Sequence, residues 1–374
     1  MTFEVKLLPP SILEETKPVL KKLASAHRYL AELKGVAASI PNQTILINTL
    51  ALQEAKDSSA IENIITTHDA LYKAQLFNDV VRDAAAKEVS LYVEALKHGF
   101  DLVSKNHILT LNHVVEIQKH LEQNDAGIRK IPGTVLVNPA SGAVIYTPPQ
   151  DYQIILKLMD NLMEYINNKE MHEVDPLIKM AVIHYQFETI HPFYDGNGRT
   201  GRILNLLYLV MEGLLSLPVL YLSRYIIRNK AEYYRQLQKV RDTNQWEPWL
   251  LYMLDAIEQT SQQTILLVDG IKNLMMDYKH RIRSRHPKLY SQDLINNLFR
   301  HPYTKIDFLM RDVNVGRLTA AKYLDTLASD GFLVKAKIWR SNYYINLPLF
   351  NLLKGDNGPI NPEPVILTRR KDQV

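Results

Sequence analysis

One short stretch, His191-Pro-Phe-Tyr-Asp195-Gly196-Asn197-Gly198-Arg199-Thr-Gly-Arg202, gathers a base, an acid, an Asn flanked by two glycines, and two arginines. His191 can take a proton from an incoming hydroxyl, because imidazole titrates near neutrality. Asp195 can hold a divalent cation such as Mg2+, which bridges phosphate oxygens. A glycine inside a helix costs about 1 kcal/mol relative to alanine, so Asp195 to Gly198 reads as a tight loop entering a helix start. At such a start, free backbone N–H groups and the positive end of the helix dipole favour an anion. Glycine lets backbone come close to a phosphate. Arg199 and Arg202, three residues apart, can lie along one side of a phosphate chain. These are the parts of a phosphoryl- or nucleotidyl-transfer site. Rival chemistries lack their residues. There is no G-x-x-x-x-G-K-[ST] loop, His184 and His191 are not arranged as H-E-x-x-H, and there is no cysteine for a thiolate site or a disulfide.

The elements that must position this stretch are mainly helical. Leu177 to Ile190 before it and Ile203 onward after it are apolar at helical spacing. Similar periodicity covers Asn42 to Thr67, Ala84 to Leu102, Tyr152 to Ile190, Arg202 to Leu215 and Lys230 to about Asp277. Val135-Leu-Val, the turn Pro139-Ala-Ser-Gly142 and Ala143-Val-Ile-Tyr146 predict a β-hairpin, which Pro148-Pro149 stops. The basic run Lys279 to His286 reads as a linker or a helix end, and Gly355 onward as a tail.

The stretch from His191 to Arg202 resembles the signature of the Fic family, H-x-F-x-[DE]-G-N-G-R-x-x-R, at every defined position. The similarity covers about residues 50 to 255. It implies a mainly α fold, with a Fic-type helical core and a β-hairpin flap, and a protein adenylyltransferase that moves AMP from ATP to a Ser, Thr or Tyr hydroxyl. On this resemblance His191 is the general base and Asp195 the Mg2+ ligand. Gly196, Asn197 and Gly198 form the anion nest, and Arg199, Thr200, Gly201 and Arg202 complete the nucleotide site. Ser58-Ser-Ala-Ile-Glu62-Asn63 resembles the family's inhibitory pattern [ST]-x-x-x-E-[GN], which implies that Glu62 pairs with Arg202 in the space of the γ-phosphate. The hairpin resembles the flap that aligns a target's main chain by strand addition, with Val135, Leu136 and Val137 as its strand. Tyr233-Tyr234 and Asn244-Gln-Trp246 resemble the family's segment beside the adenine, which implies nucleoside contacts from Tyr234 and Asn244.

Four regions are expected: residues 1–105 as an N-terminal helical region with the inhibitory motif at 58–63; 106–278 as the catalytic core with a hairpin at 127–149; 289–353 as a small C-terminal domain; and 354–374 as a tail. The C-terminal unit reads helix, turn, helix over Lys305 to Ala328, then strands over Phe332–Lys337 and Tyr343–Leu347, and resembles a winged helix-turn-helix. Arg317, Lys322, Lys335, Lys337 and Arg340 would face DNA; contact with protein is the other use of this fold. With 374 residues, a formal charge of +4, 46% apolar and 22% charged residues, the composition is that of an ordinary globular protein. The slight charge neither demands nor excludes nucleic acid. The first residues are no signal peptide and no apolar run approaches the roughly 20 residues of a membrane span. The expected setting is therefore cytoplasmic and without a membrane. Expected partners are ATP, a hydroxyl-bearing protein target, DNA at the C-terminal unit and a second copy of the chain. A DNA-binding regulator that uses ATP only as a ligand is the alternative from another class, and the intact base argues against it. Within the enzyme class, another phosphate-containing donor or reversal of the modification stays open.

Overall fold

The computed structural model describes residues 4–11, 13, 15–76, 83–137, 142–338 and 341–355. It is mainly helical and divides into two compact units, Met1–Lys272 and Asn273–Val374.

The first unit runs α1 (Lys17–Ala38), α2 (Thr44–Ile61), α3 (His68–Leu76), α4 (Ala84–Asn106), α5 (Leu111–Glu122), the hairpin β1 (Leu136–Val137) and β2 (Val144–Tyr146), α6 (Tyr152–Asn167), α7 (Pro176–Ile190), α8 (Asn197–Met211), α9 (Leu222–Arg228), α10 (Lys230–Thr243) and the start of α11 (Glu247–Arg285). Side-chain caps fix where many of these begin. Asp83 accepts from Ala86 N, Thr110 closes a capping box with His113, and Asp151 accepts from Gln153 and Ile154. The long helical pattern from Tyr152 to Ile190 is broken because Asp175 caps a new helix with Pro176 in its first turn. Likewise Asn244, in the left-handed region, ends α10 and separates it from α11. α7 and α8 are buried almost all round, as a helix at the centre of a core must be. No helix among the described residues is long and apolar enough to cross a membrane.

The hairpin is shorter than its sequence suggests. Val135 lies before the strand, because Gln150 takes up the backbone here: its Nε2 donates to Thr134 O at 3.0 Å and its Oε1 accepts from Gly133 N at 2.6 Å. Leu136 pairs with Tyr146 and Val137 with Val144, across an irregularity in register. The expected turn at 139–141 lies outside the described residues.

The second unit contains α12 (Gln292–Arg300), β3 (Tyr303–Thr304), α13 (Ile306–Val313), α14 (Arg317–Ser329), β4 (Val334–Ile338), β5 (Ser341–Ile345) and α15 (Leu347–Lys354), with an antiparallel sheet in the order β3-β5-β4. Both strands are offset from the sequence expectation. Phe332 and Leu333 are used to finish α14, their N–H groups returning to Leu327 O at 2.9 and 3.4 Å, so β4 starts later. Leu347 opens α15 instead of closing β5, since Asn346 caps that helix by accepting from Leu349 N at 3.1 Å. Of the basic residues expected on DNA, Arg317 is paired with Asp307 at 2.7 Å and Lys335 with Asp325 at 2.6 Å. Arg340 and the tail beyond Gly355 lie outside the described residues.

Candidate active site

Ile190 ends α7, and His191 turns the chain out of it with φ +50°. The loop is then closed by one side chain: Asn197 Oδ1 accepts from Phe193 N at 2.8 Å and its Nδ2 donates to Phe193 O at 2.9 Å. The amide of Asn197 thus staples the loop. α8 has no side-chain cap. Its N-cap is Gly196, with φ +74°, and its first-turn N–H groups have no intrahelical acceptor.

Carboxylates fill that cradle. A Cβ on Gly198 would lie 2.5 Å from Glu62 Oε1, and one on Gly196 would lie 2.5 Å from Glu122 Oε1. Glu62, the C-cap of α2, accepts from Arg202 Nη2 at 2.8 Å through Oε1 and from Arg199 Nε at 2.7 Å through Oε2. It thus bridges both arginines, where the sequence pattern pointed only to Arg202. Arg202 also donates to Ser58 Oγ at 2.8 Å and Ser58 O at 3.0 Å. Asn63, left-handed with φ +65°, ends the helix and accepts from Lys230 Nζ at 3.3 Å. Arg199, only 3% exposed, meets three further carboxylates: Glu122 at 2.9 Å, Glu88 of α4 at 3.2 Å and Asp195 at 3.9 Å.

Burial sets the titration of the groups around this cluster. It pushes His191 down to about 4, helped by Arg129 and Arg241, so the imidazole is neutral at neutral pH. Burial also pushes Glu188, three residues earlier on α7, up to about 7 against the pull of Arg202. Glu122 is raised by burial too, with Arg199 opposing. His184 lies in the core instead, with Nε2 2.8 Å from Tyr233 Oη and its ring stacked on Trp249. Thr200 is buried, and Gly201 passes close to Glu188, where a Cβ would meet Oε1 at 2.8 Å.

Arg129, invisible to the motif, ties the hairpin to the base. Its backbone N donates to Pro192 O at 2.9 Å, its Nε to His191 O at 2.8 Å and its Nη2 to Pro149 O. Tyr146 of β2 donates to Thr189 O at 2.9 Å, and Tyr194 Oη accepts from Lys130 N and Ile131 N. Val137, Val144 and Ile145 stay exposed on the hairpin. Tyr234 is exposed beside Tyr233, within electrostatic reach of Arg202 and Glu62. Asn244 instead lines a cavity of about 340 Å³ with Tyr185, Trp246 and residues 5–11, and accepts from Trp246 Nε1 at 3.3 Å.

The donor set fits Mg2+. Asp195 is 76% exposed at the mouth of the nest and offers hard oxygen, whereas Glu122 is taken up by Arg199 at 2.9 Å. No group of three or more His, Cys, Asp or Glu forms a cage among the described residues. Mg2+ commonly takes one or two carboxylates and completes its shell with water and phosphate oxygens.

Three regions match known families: residues 20–101 the Fic/DOC family N-terminal region, 108–209 the Fic/DOC family, and 274–349 the C-terminal domain of SoFic-like protein adenylyltransferases. The chain is 27% identical over 172 residues to the protein adenylyltransferase fic-1 of Caenorhabditis briggsae, covering 44% of this chain and 30% of that protein. It is 28% identical over 163 residues to the protein adenylyltransferase Fic of Aedes aegypti, covering 42% of this chain and 30% of that one. The chain thus spans under a third of the length of these curated relatives. Among solved structures, a Fic family protein of Desulfovibrio desulfuricans superposes with a TM-score of 0.59 at 18% identity, covering 90% of this chain and 98% of that one. A Fic domain protein of Bacteroides thetaiotaomicron gives 0.51 at 16% identity, covering 68% and 97%. These likenesses are in fold.

Proposed function

Because the chain belongs to the Fic/DOC family, we propose that it is a self-inhibited protein adenylyltransferase. It transfers AMP from ATP to a Ser, Thr or Tyr hydroxyl of a target protein, and of itself. The observation that carries this proposal is that two carboxylates, Glu62 and Glu122, each set an oxygen at a glycine of the nest, and that the Glu62 carboxylate also bridges both arginines through its two oxygens. A cradle that accepts carboxylates at these points suits phosphate oxygens at the same points.

In the reaction, the target hydroxyl oxygen attacks the α-phosphorus, a new P–O bond forms, and the α–β bridging P–O bond breaks to release pyrophosphate. His191, neutral because it is buried, takes the hydroxyl proton. Asn197 and Gly198 offer backbone N–H groups to the phosphates, Gly196, whose own N–H donates to Asp195 Oδ1 at 2.7 Å, lets the backbone come close to them, and Arg199 and Arg202 orient the outer ones once Glu62 withdraws. Asp195 holds Mg2+, which neutralises phosphate charge when bound. The hairpin, with exposed Val137 and Val144, aligns the target's main chain. While Glu62 holds both guanidinium groups, the outer phosphates have no place and the α-phosphate is not in line.

The test is incubation of the full chain, wild type and Glu62→Gly, with ATP labelled at the α-phosphate and with a lysate. Label should appear on protein with the variant. Label from the γ-phosphate on protein, or none from either position, would refute adenylyl transfer.

A further inference from the structure

Arg199 is surrounded by more negative charge than a phosphate-binding arginine needs. Glu62, Glu88, Glu122 and Asp195 all lie within 3.9 Å of its guanidinium. Withdrawal of Glu62 leaves three carboxylates on it. Glu122 differs from the rest in place. It is the last residue of α5, its side chain is only 14% exposed, and its Oε1 sits directly over Gly196 at the mouth of the nest. One turn earlier on the same helix, Gln118 donates to Asp195 O at 3.3 Å, so α5 is fastened to the loop that carries the acid. Glu88 is 42% exposed and touches neither glycine.

A polyphosphate arriving here without a cation meets a largely enclosed carboxylate, 14% exposed and held by Arg199 at 2.9 Å. Like charges in a site shielded from solvent repel far more strongly than at the surface. A cation held at Asp195, whose loop is fastened to the helix that carries Glu122, would offset the charge of both.

Resting on the adenylyltransferase proposal, we propose that Glu122 is a specificity residue that makes nucleotide binding conditional on a divalent cation. Its carboxylate rejects the bare triphosphate and admits the cation complex. If Glu122 did no more than hold Arg199 in place, its removal would weaken nucleotide binding whether or not a cation were present. The two roles predict opposite signs.

The experiment is calorimetric titration of ATP into the full chain carrying Glu62→Gly, alone or with Glu122→Gln, in excess EDTA and in excess Mg2+. Glutamine keeps the shape and the acceptor for Arg199 but removes the charge. The double variant should bind ATP about tenfold more tightly than Glu62→Gly in EDTA, about 1.4 kcal/mol, and within about threefold of it in Mg2+. Adding Glu88→Gln instead should change neither by more than about threefold. Glu122→Ala in the same background, as a second variant, should shift the EDTA affinity in the same direction. Unchanged or weaker binding of both Glu122 variants in EDTA would overturn the proposal. So would equal tightening in both buffers, or an equal effect of Glu88→Gln. Absence of ATP binding by Glu62→Gly in both buffers would instead refute the parent proposal of an ATP-using site.

Discussion

Replacing Glu62 by glycine tests the inhibitory contact most directly. Its carboxylate makes two charge-assisted hydrogen bonds, to Arg202 at 2.8 Å and Arg199 at 2.7 Å. Bonds of this kind are worth about 1.5–3 kcal/mol each, so parting Glu62 from both arginines costs about 3–6 kcal/mol. At about 1.4 kcal/mol per factor of ten, that holds the open arrangement to between about one part in 10² and one in 10⁴. Glu62 is 24% exposed, and water compensates part of what it loses, which favours the lower figure. Glu62→Gly should therefore raise the initial rate of labelling by about 10²-fold. The assay measures initial rates with ATP labelled at the α-phosphate and a fixed acceptor, across ATP concentrations. ATP affinity should change far less than the rate, since the nest of Gly196 to Gly198 is intact. Arg202→Ala should stay inactive with or without Glu62→Gly, because the productive pose needs that guanidinium. A Glu62→Gly rate within about threefold of wild type, with a competent acceptor present, would refute the reasoning and leave Glu62 a structural bridge.

Three further outcomes are expected. His191→Ala in the Glu62→Gly background should lower the transfer rate by about 10³-fold and leave the calorimetric Kd for ATP within about threefold; a comparable loss of affinity would remove His191 from the role of base. Glu188→Gln should stabilise the chain at pH 8 by about 3 kcal/mol and at pH 5 by under about 1 kcal/mol in denaturant titrations. Its carboxyl is raised to about 7 in the fold, so the folded state holds a proton that the unfolded state releases above about pH 4.5, and stability falls as pH rises through 7. Arg129→Ala should destabilise by about 3 kcal/mol, because a buried guanidinium that serves His191 O, Pro149 O and Ile190 O leaves those carbonyls without a donor; a change in melting temperature of under about 2 °C would count against it.

The signature was legible because its chemistry is local. Base, acid, glycines and arginines follow one another, and the loop is closed by a residue inside it, Asn197. Ser58 and Glu62 could be found because Ser58 to Asn63 resembles the family's inhibitory pattern, whose two ends lie one helix turn apart. Glu122, Glu88 and Arg129 carry no such spacing. Each belongs to a different part of the chain and reaches the site only through packing, so an isolated Glu at the end of α5 looks like any exposed helix end. Glu62's second partner was missed for the same reason: which of two arginines a carboxylate meets depends on where α2 docks against α8. The mainly helical class followed from periodicity, whereas boundaries moved wherever a cap outweighed the apolar pattern, as at Asp175 and Asn346.

Helix α2 is held unevenly along its length. Gln53, Glu54 and Ser58 are buried in polar contacts: Gln53 with Tyr221 and Tyr72, Glu54 with Ser223 and Tyr92, Ser58 with Arg202. Beyond Ile61 the chain turns through a left-handed Asn63 to exposed Ile65. Opening free energy in a protein follows such differences and is not shared evenly along an element. Amide protons in the middle of α2 should thus exchange with solvent far more slowly than those just past Ile61. Glu62 stands at the border between these two regimes, so its detachment is a motion of one helix end that leaves the rest of α2 seated.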